Sequence, residues 1–181
     1  MILFVGEREL FDFINEICPE VTYEVGVEQA EAVIIADASE QAAVAAKTAM
    51  LINLPVLGIL DGCRVLANAV GVPLSDSDSV AEGKQEICVL DSENPIFRGM
   101  QSVIKICRGR PDAVQLSALP EGVQSAARGE DGEVLAFWSE RGAGFYAVNF
   151  YINSDLTPEG RKIIENFTKL KGVTKVEKQY T

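Results

Sequence analysis

The chain has 181 residues and a mass of 19.6 kDa, the size of one ordinary domain, and its 48% hydrophobic and 24% charged residues are the balance of a folded globular protein. Sixteen Lys and Arg against 27 Asp and Glu leave a net charge of −11, which argues against sequence-independent nucleic-acid binding and against docking on an anionic membrane surface. No histidine is present, so Ser-His-Asp and Cys-His triads, imidazole acid–base chemistry and imidazole zinc sites are all removed.

Residues 2–5 (ILFV) form an apolar run ending at Gly6, the pattern of a strand buried on both faces. Leu10, Phe11, Phe13, Ile14 and Ile17 then recur at helical spacing until Pro19. Residues 22–25 read as a short strand and residues 32–36 as a second apolar one. Ser39 is placed to cap an alanine-rich helix that runs to about residue 52 and stops before Pro55. Residues 56–60 are a third buried strand, followed from Gly62 by a helix that ends at Gly71. Apolar strands separated by helices predict an α/β fold: a doubly wound, mostly parallel central sheet.

The second half changes character. Residues 72–84 are polar and loop-like, and short strands are predicted at about 85–90, 102–107, 113–118, 133–138 and 144–150, as antiparallel additions beside the central sheet. Thr157 as cap and Pro158 at the first helical position predict a closing helix with Ile163, Ile164, Phe167 and Leu170 on its apolar face. One domain is expected over residues 1–171, with a loose tail at 172–181. Cys18, Cys63, Cys88 and Cys107 are scattered without a CxxC pair and read as small core hydrophobes in a reducing cytoplasm. The apolar N-terminus has neither the basic region nor the cleavage site of a signal peptide, and no run is long enough to span a bilayer. No cofactor or metal is implied.

One segment carries a chemical signature. Pro55-Val-Leu-Gly58-Ile-Leu60-Asp-Gly62-Cys63-Arg64 is a strand, a Gly-x-X-x-Gly turn and a helix, the layout of a nucleophile elbow in which the central residue stands above the sheet at a helix N-terminus. Gly-rich strand-to-helix turns are common, so spacing alone does not assign a function. The segment resembles the elbow of the class I glutamine amidotransferases, Gly-Ile-Cys-x-Gly-x-Gln. Residues 144–153 (GFYAVNFYIN) are similar to that family's Tyr-Gly-Val-Gln-Phe-His-Pro-Glu strand. Thr157 to Gly160 and Asn166-Phe167 match its Thr-x-x-Gly and Asn-Phe closing helix. Residues 110–114 and 119–122 are similar to its His-Gly-Asp-x-Val and Leu-Pro-Glu-Gly stretch. The resemblance covers nearly the whole chain and implies a flavodoxin-like α/β fold.

The departures fall on the chemistry. Carried onto this sequence, the family's nucleophilic cysteine is Leu60, its histidine is Tyr151 and its glutamate is Asn153. Leucine forms no thioester, and tyrosine, with an ordinary pKa near 10, is a poor base at neutral pH. Asparagine has no charge to steady an imidazolium. The oxyanion loop reads Ala36-Asp37-Ala38 in place of Gly-Gly-Pro, and an Asp37 carboxylate there repels developing negative charge. The glutamine-contacting Gln is Arg64. No catalytic residues are therefore assigned.

Three readings follow. The first is a non-catalytic amidotransferase-like domain that binds a small ligand or a partner protein, such as a synthetase, with a crevice around Asp37, Leu60, Asp61, Arg64 and Tyr151. A small anionic ligand would be held there by Arg64, Arg110 and the amides near Gly62. The second is a working amidotransferase subunit that supplies ammonia to a synthetase. The third is different chemistry carried by Cys63, at the positive end of the elbow helix, or by Asp37, Asp61 and Asp112 holding a cation or amine. The structural counterparts are a packed thiol, solvated loop carboxylates and an Arg–Asp surface pair. Tyr146, Tyr151 and Phe145 read as sheet packing.

Overall fold

The computed structural model describes residues 1–76, 83–108, 112–113 and 118–172, with main chain alone at 75–76, 112–113 and 172. In chain order the strands and helices are β1 (Ile2–Val5), α1 (Arg8–Ile17), β2 (Val21–Thr22), β3 (Ala32–Ile35), α2 (Glu40–Leu51), β4 (Val56–Ile59), α3 (Asp61–Val70) and β5 (Ser75–Asp76). There follow β6 (Gln85–Leu90), β7 (Val103–Cys107), β8 (Asp112–Ala113), β9 (Gln124–Gly129), β10 (Val134–Ser139), β11 (Phe145–Val148) and α4 (Gly160–Thr168). Nine strands form one sheet in the order β2-β1-β3-β4-β11-β10-β9-β6-β7. From β2 to β11 neighbours run parallel, and from β11 to β7 antiparallel. Strands β5 and β8 pair separately. The α/β architecture is as expected, and the antiparallel strands extend the central sheet itself.

Strands β1, β3 and β4 are buried at every position because helices cover both faces. Alternation along β1 sends Ile2 and Phe4 to a core that also holds Ile14 of α1 and Ile163, Ile164 and Phe167 of α4. Leu3 and Val5 go to the other core, with Ala42, Ala45, Ala46 and Ala49 of α2 and Leu66 and Ala67 of α3. The small alanine side chains let α2 lie close to the sheet. Ser39 Oγ accepts from the Ala42 amide at 3.1 Å, the predicted cap of α2, and Gly71 ends α3 at φ 80°.

The antiparallel half curls. Edge strand β7 lies four strands from β11, yet the Tyr151 amide, just past β11, donates to the Cys107 carbonyl at 2.9 Å. The Cys107 amide in turn donates to Thr157 Oγ at 2.8 Å. Both main-chain groups of the last β7 residue are thus used to close the curl. This corrects the reading of Thr157 as a helix cap. The helix begins at Gly160, its cap position is Glu159, and no side chain caps it. Gly160 is needed for a second reason: a Cβ there would stand 1.9 Å from the Ile152 carbonyl oxygen.

Helix α4 is docked by polar groups too, as Asn166 Nδ2 donates to the Ile96 and Arg98 carbonyls, both at 2.9 Å. Arg108, 2% exposed, is balanced by Glu86 at 2.9 Å and by Glu133, so the curl buries no isolated charge. Burial pushes the Cys88 thiol of β6 up to about 12, and burial likewise pushes the Tyr146 phenol of β11 up to about 12.

Two strands were not expected from the sequence: β5, which falls in the expected loop at 72–84, and β9, which lies between β10 and β6. The sequence of β9, QSAARG, lacks the large alternating residues that mark a strand, and its buried positions include the small residues Ala126 and Ala127. Of the expected strand at 113–118, Ala113 falls in β8 and residues 114–117 lie outside the described residues, as do residues 173–181 of the expected tail.

Two outcomes test this fold. Thr157→Val leaves the buried Cys107 amide without its acceptor, so a loss of about 1–3 kcal/mol in urea unfolding at unchanged m is expected; a loss under about 0.5 kcal/mol would contradict the closure. In the unfolded chain Cys88 and Tyr146 release protons near their ordinary pKa values, whereas the fold keeps both protonated to about 12. The unfolded state then binds fewer protons, so the urea midpoint should fall steadily as the pH rises from about 9 towards 12, and a flat profile there would contradict the burial of both groups.

Candidate functional site

The site begins with two glycines. A Cβ on Gly58 of β4 would stand 2.5 Å from the Gly62 carbonyl oxygen, and a Cβ on Gly62 would stand 1.8 Å from the carbonyl oxygen of Ile35 in β3. The first turn of α3 therefore lies directly on the sheet, and only glycine fits at either contact. Leu60 joins β4 to α3 and is held at φ 53°, ψ −109°. Its amide donates to the Val148 carbonyl of β11 at 3.0 Å, and its carbonyl accepts from the Arg64 amide at 3.2 Å. The leucine occupies a conformation that L residues adopt at a strain of about 1–3 kcal/mol, in the sharp strand-to-helix turn that the Gly-x-X-x-Gly spacing predicts.

Leu60 borders a cavity of about 270 Å³ at the carboxyl ends of the parallel strands. Tyr151 and Asn153 border it as well, delivered there by the closure at Cys107 and Thr157. Tyr151 is 38% exposed. The remaining lining is Leu10, Ala36 and the carboxylate residues Glu7, Glu9, Asp37 and Asp61. Lys and Arg are absent from this lining among the described residues. Asp37 is engaged locally: its Oδ1 accepts from the Ser39 amide at 2.9 Å and from Ser39 Oγ at 2.6 Å, so it braces the cap of α2. Asp61 stands in the first turn of α3, where a carboxylate is favoured by the helix dipole. No group of three His, Cys, Asp or Glu among the described residues is arranged to hold a metal ion.

The structure brings together the three carried-over positions Leu60, Tyr151 and Asn153 with Asp37 and Asp61, and it separates Arg64 from them. Arg64 borders a different cavity of about 610 Å³ between α2 and α3, alongside Lys47 and Asn68. Gly62, whose amides were expected to share an anion subsite with Arg64, borders neither of these two cavities. Arg110 lies outside the described residues, and so does the side chain of Asp112. Cys63 is 0% exposed and packs with Leu66 and Ala67 in the core beneath α3, the packed-thiol arrangement. All four cysteines are buried and free of disulfides.

Glu7, Glu9 and Leu10 were missed in the sequence. The signal was available, since they follow β1 directly and a crevice at strand carboxyl ends collects every such junction.

The strain at Leu60 is directly testable. At ordinary helical or strand positions Gly is less stable than Ala, and here the order should reverse, with Leu60→Gly more stable than Leu60→Ala by about 1 kcal/mol in urea unfolding. The usual order would show that residue 60 does not hold the left-handed backbone.

Known proteins share this fold. The family model for class I glutamine amidotransferases matches residues 27–170. A GMP synthase (glutamine-hydrolyzing) from Thermus thermophilus is 34% identical over 121 residues, 67% of this chain and 23% of that protein. The pyocyanine-specific anthranilate synthase component 2 of Pseudomonas aeruginosa is 31% identical over 114 residues, 63% of this chain and 54% of that protein. The aligned part thus spans about a quarter of the GMP synthase relative and about half of the other. Among solved structures, a protein described as a GMP synthase subunit from Thermoplasma acidophilum superposes with a TM-score of 0.79 at 17% identity, covering 98% of this chain and 96% of that one. A glutamine amidotransferase from Thermotoga maritima superposes at 0.68 with 16% identity, covering 97% of this chain and 85% of that one. At such identities the superpositions speak for the fold, and the family match over most of the chain carries the membership. This chain belongs to the class I glutamine amidotransferase family.

Proposed function

We propose that the chain is a class I amidotransferase domain without glutaminase chemistry, which works as a binding module for a small ligand or a partner protein. The observation that carries this reading is Leu60 at the tip of the elbow. An elbow serves to present a nucleophile, and loss of the nucleophile in a hydrolase that works through an acyl-enzyme lowers turnover roughly a millionfold. Two further features support it. The resemblance carries an imidazole and its orienting carboxylate onto Tyr151 and Asn153, which border the cavity, and the carboxylates around it oppose the negative charge that develops on a tetrahedral intermediate. Leu60 and Tyr151 do not fill the cavity, which favours a retained small-molecule site over a purely structural role.

A partner protein fits the names of the relatives. The Methanosphaera stadtmanae relative is one subunit of a GMP synthase (glutamine-hydrolyzing), 27% identical over 118 residues, and the name of the Pseudomonas protein marks it as one component of a synthase. Those names also support the second reading, a subunit that supplies ammonia to a synthetase; that reading requires a nucleophile this elbow lacks. The complete burial of Cys63 opposes chemistry at that sulfur. We place the protein in a reducing cytoplasm, where four buried thiols persist without pairing. No helix among the described residues is long and apolar enough to cross a membrane.

The deciding experiment is ammonia release from L-glutamine by the purified chain, alone and with any synthetase that co-purifies from its native cells. No release above the buffer rate is expected in either case. Turnover above background would overturn the non-catalytic reading and establish the ammonia-supplying one.

A further inference from the structure

A third cavity, with apolar walls and charged residues of both signs at its border, lies at the opposite end of the sheet from the elbow. It measures about 370 Å³ and sits between the loop before β4, the loop before β11 and residues 121–123. Met50, Leu54, Val70 and Phe145 form its apolar sides. Its shape is fixed by backbone in the left-handed region: Asn53 at φ 64°, Gly142 at 65° and Gly144 at 85°. Asn53 Oδ1 lies 2.2 Å from where a Cβ of Gly142 would be, so these two loops interlock.

Two opposite charges line this cavity. The Arg141 guanidinium lies flat against Gly122, its Cζ 2.7 Å from where a Cβ would stand on that residue, and Gly122 is at φ 84°. The neighbouring Glu121 also borders the cavity, and among the described residues no ion pair joins it to Arg141. Arg141 is anchored through its main chain instead, its amide donating at 3.3 Å to Oγ of Ser139, a residue 3% exposed. A fork-shaped donor favours a carboxylate, a carboxylate favours an ammonium group, and the apolar walls favour a hydrocarbon side chain.

We propose that this cavity binds a small zwitterion, an α-amino acid with an apolar side chain, its carboxylate on Arg141 and its ammonium group on Glu121. The site is remote from Leu60, so the proposal stands whether or not the elbow is silent. It also places a ligand where the carboxyl-end rule for parallel sheets does not look.

The test is calorimetric titration of the full chain with L-leucine, L-methionine and L-phenylalanine. At least one should bind with a Kd below about 1 mM and raise the unfolding midpoint. The N-acetyl derivative of that amino acid, which lacks the ammonium charge, and its amide, which lacks the carboxylate, should each bind at least about tenfold more weakly. Arg141→Gln and Glu121→Gln should each weaken binding by at least about tenfold, whereas Lys105→Gln, on strand β7, should leave it unchanged. Both cavity variants alter exposed side chains, and their unliganded unfolding midpoints report whether the fold is kept. The proposal is overturned by the absence of heat from all three amino acids up to about 10 mM, by binding that survives Arg141→Gln, or by an N-acetyl derivative that binds as well as its parent.

Discussion

The contact on which the site depends is the seating of the first turn of α3 on strands β3 and β4. With no room for a side chain between Gly62 and the Ile35 carbonyl, and with Gly58 facing the Gly62 carbonyl, the helix has one way to leave the sheet. The joining residue must then take a left-handed backbone, and the bond from the Leu60 amide to the Val148 carbonyl fixes that residue over the carboxyl edge. The strain at one leucine is small beside the burial of Val56, Leu57, Ile59, Cys63, Leu66 and Ala67, each of which is 0–1% exposed. The elbow is therefore a product of packing and does not need a nucleophile at its summit.

The far wall of the cavity has a separate origin. Curling of the antiparallel strands returns β7 to the chain leaving β11, and Cys107 commits both its amide and its carbonyl to that junction. Thr157 supplies the acceptor, and Gly160 lets α4 start close against Ile152. Tyr151 and Asn153 thereby sit opposite Leu60. Packing thus brings together Leu60, Tyr151 and Asn153, the positions to which the resemblance carries the family's catalytic groups, and their side chains hold no thiol, no imidazole and no carboxylate. The carboxylates of Glu7, Glu9, Asp37 and Asp61 give the cavity a field of the wrong sign for an oxyanion.

The parallel half of the sheet was legible because its strands are uninterrupted apolar runs and its helices have visible caps and stops, such as Ser39 and Gly71. The elbow was legible because its glycine spacing has a steric cause. Less was visible where the signal depends on distant partners. Strand β9 is written in small and polar residues that suit its place between β10 and β6. Thr157 before Pro158 looks like a helix start, yet its hydroxyl serves an amide 50 residues away in sequence. Arg64 is near the elbow in sequence, but it borders the cavity between α2 and α3, which the local pattern does not encode.

We propose that the scaffold keeps the elbow while the cavity lacks the electrostatics that activate a nucleophile there. Placing a sulfur at the summit probes this most directly. In Leu60→Cys, the pH dependence of alkylation by iodoacetamide reads the thiol pKa, with the buried native cysteines as an internal reference. With four carboxylate residues lining the cavity and no imidazole in the chain, a pKa at or above the ordinary value of about 8.5 is expected. A thiol titrating below about 7 would show that the cavity still activates a nucleophile, and would contradict the claim.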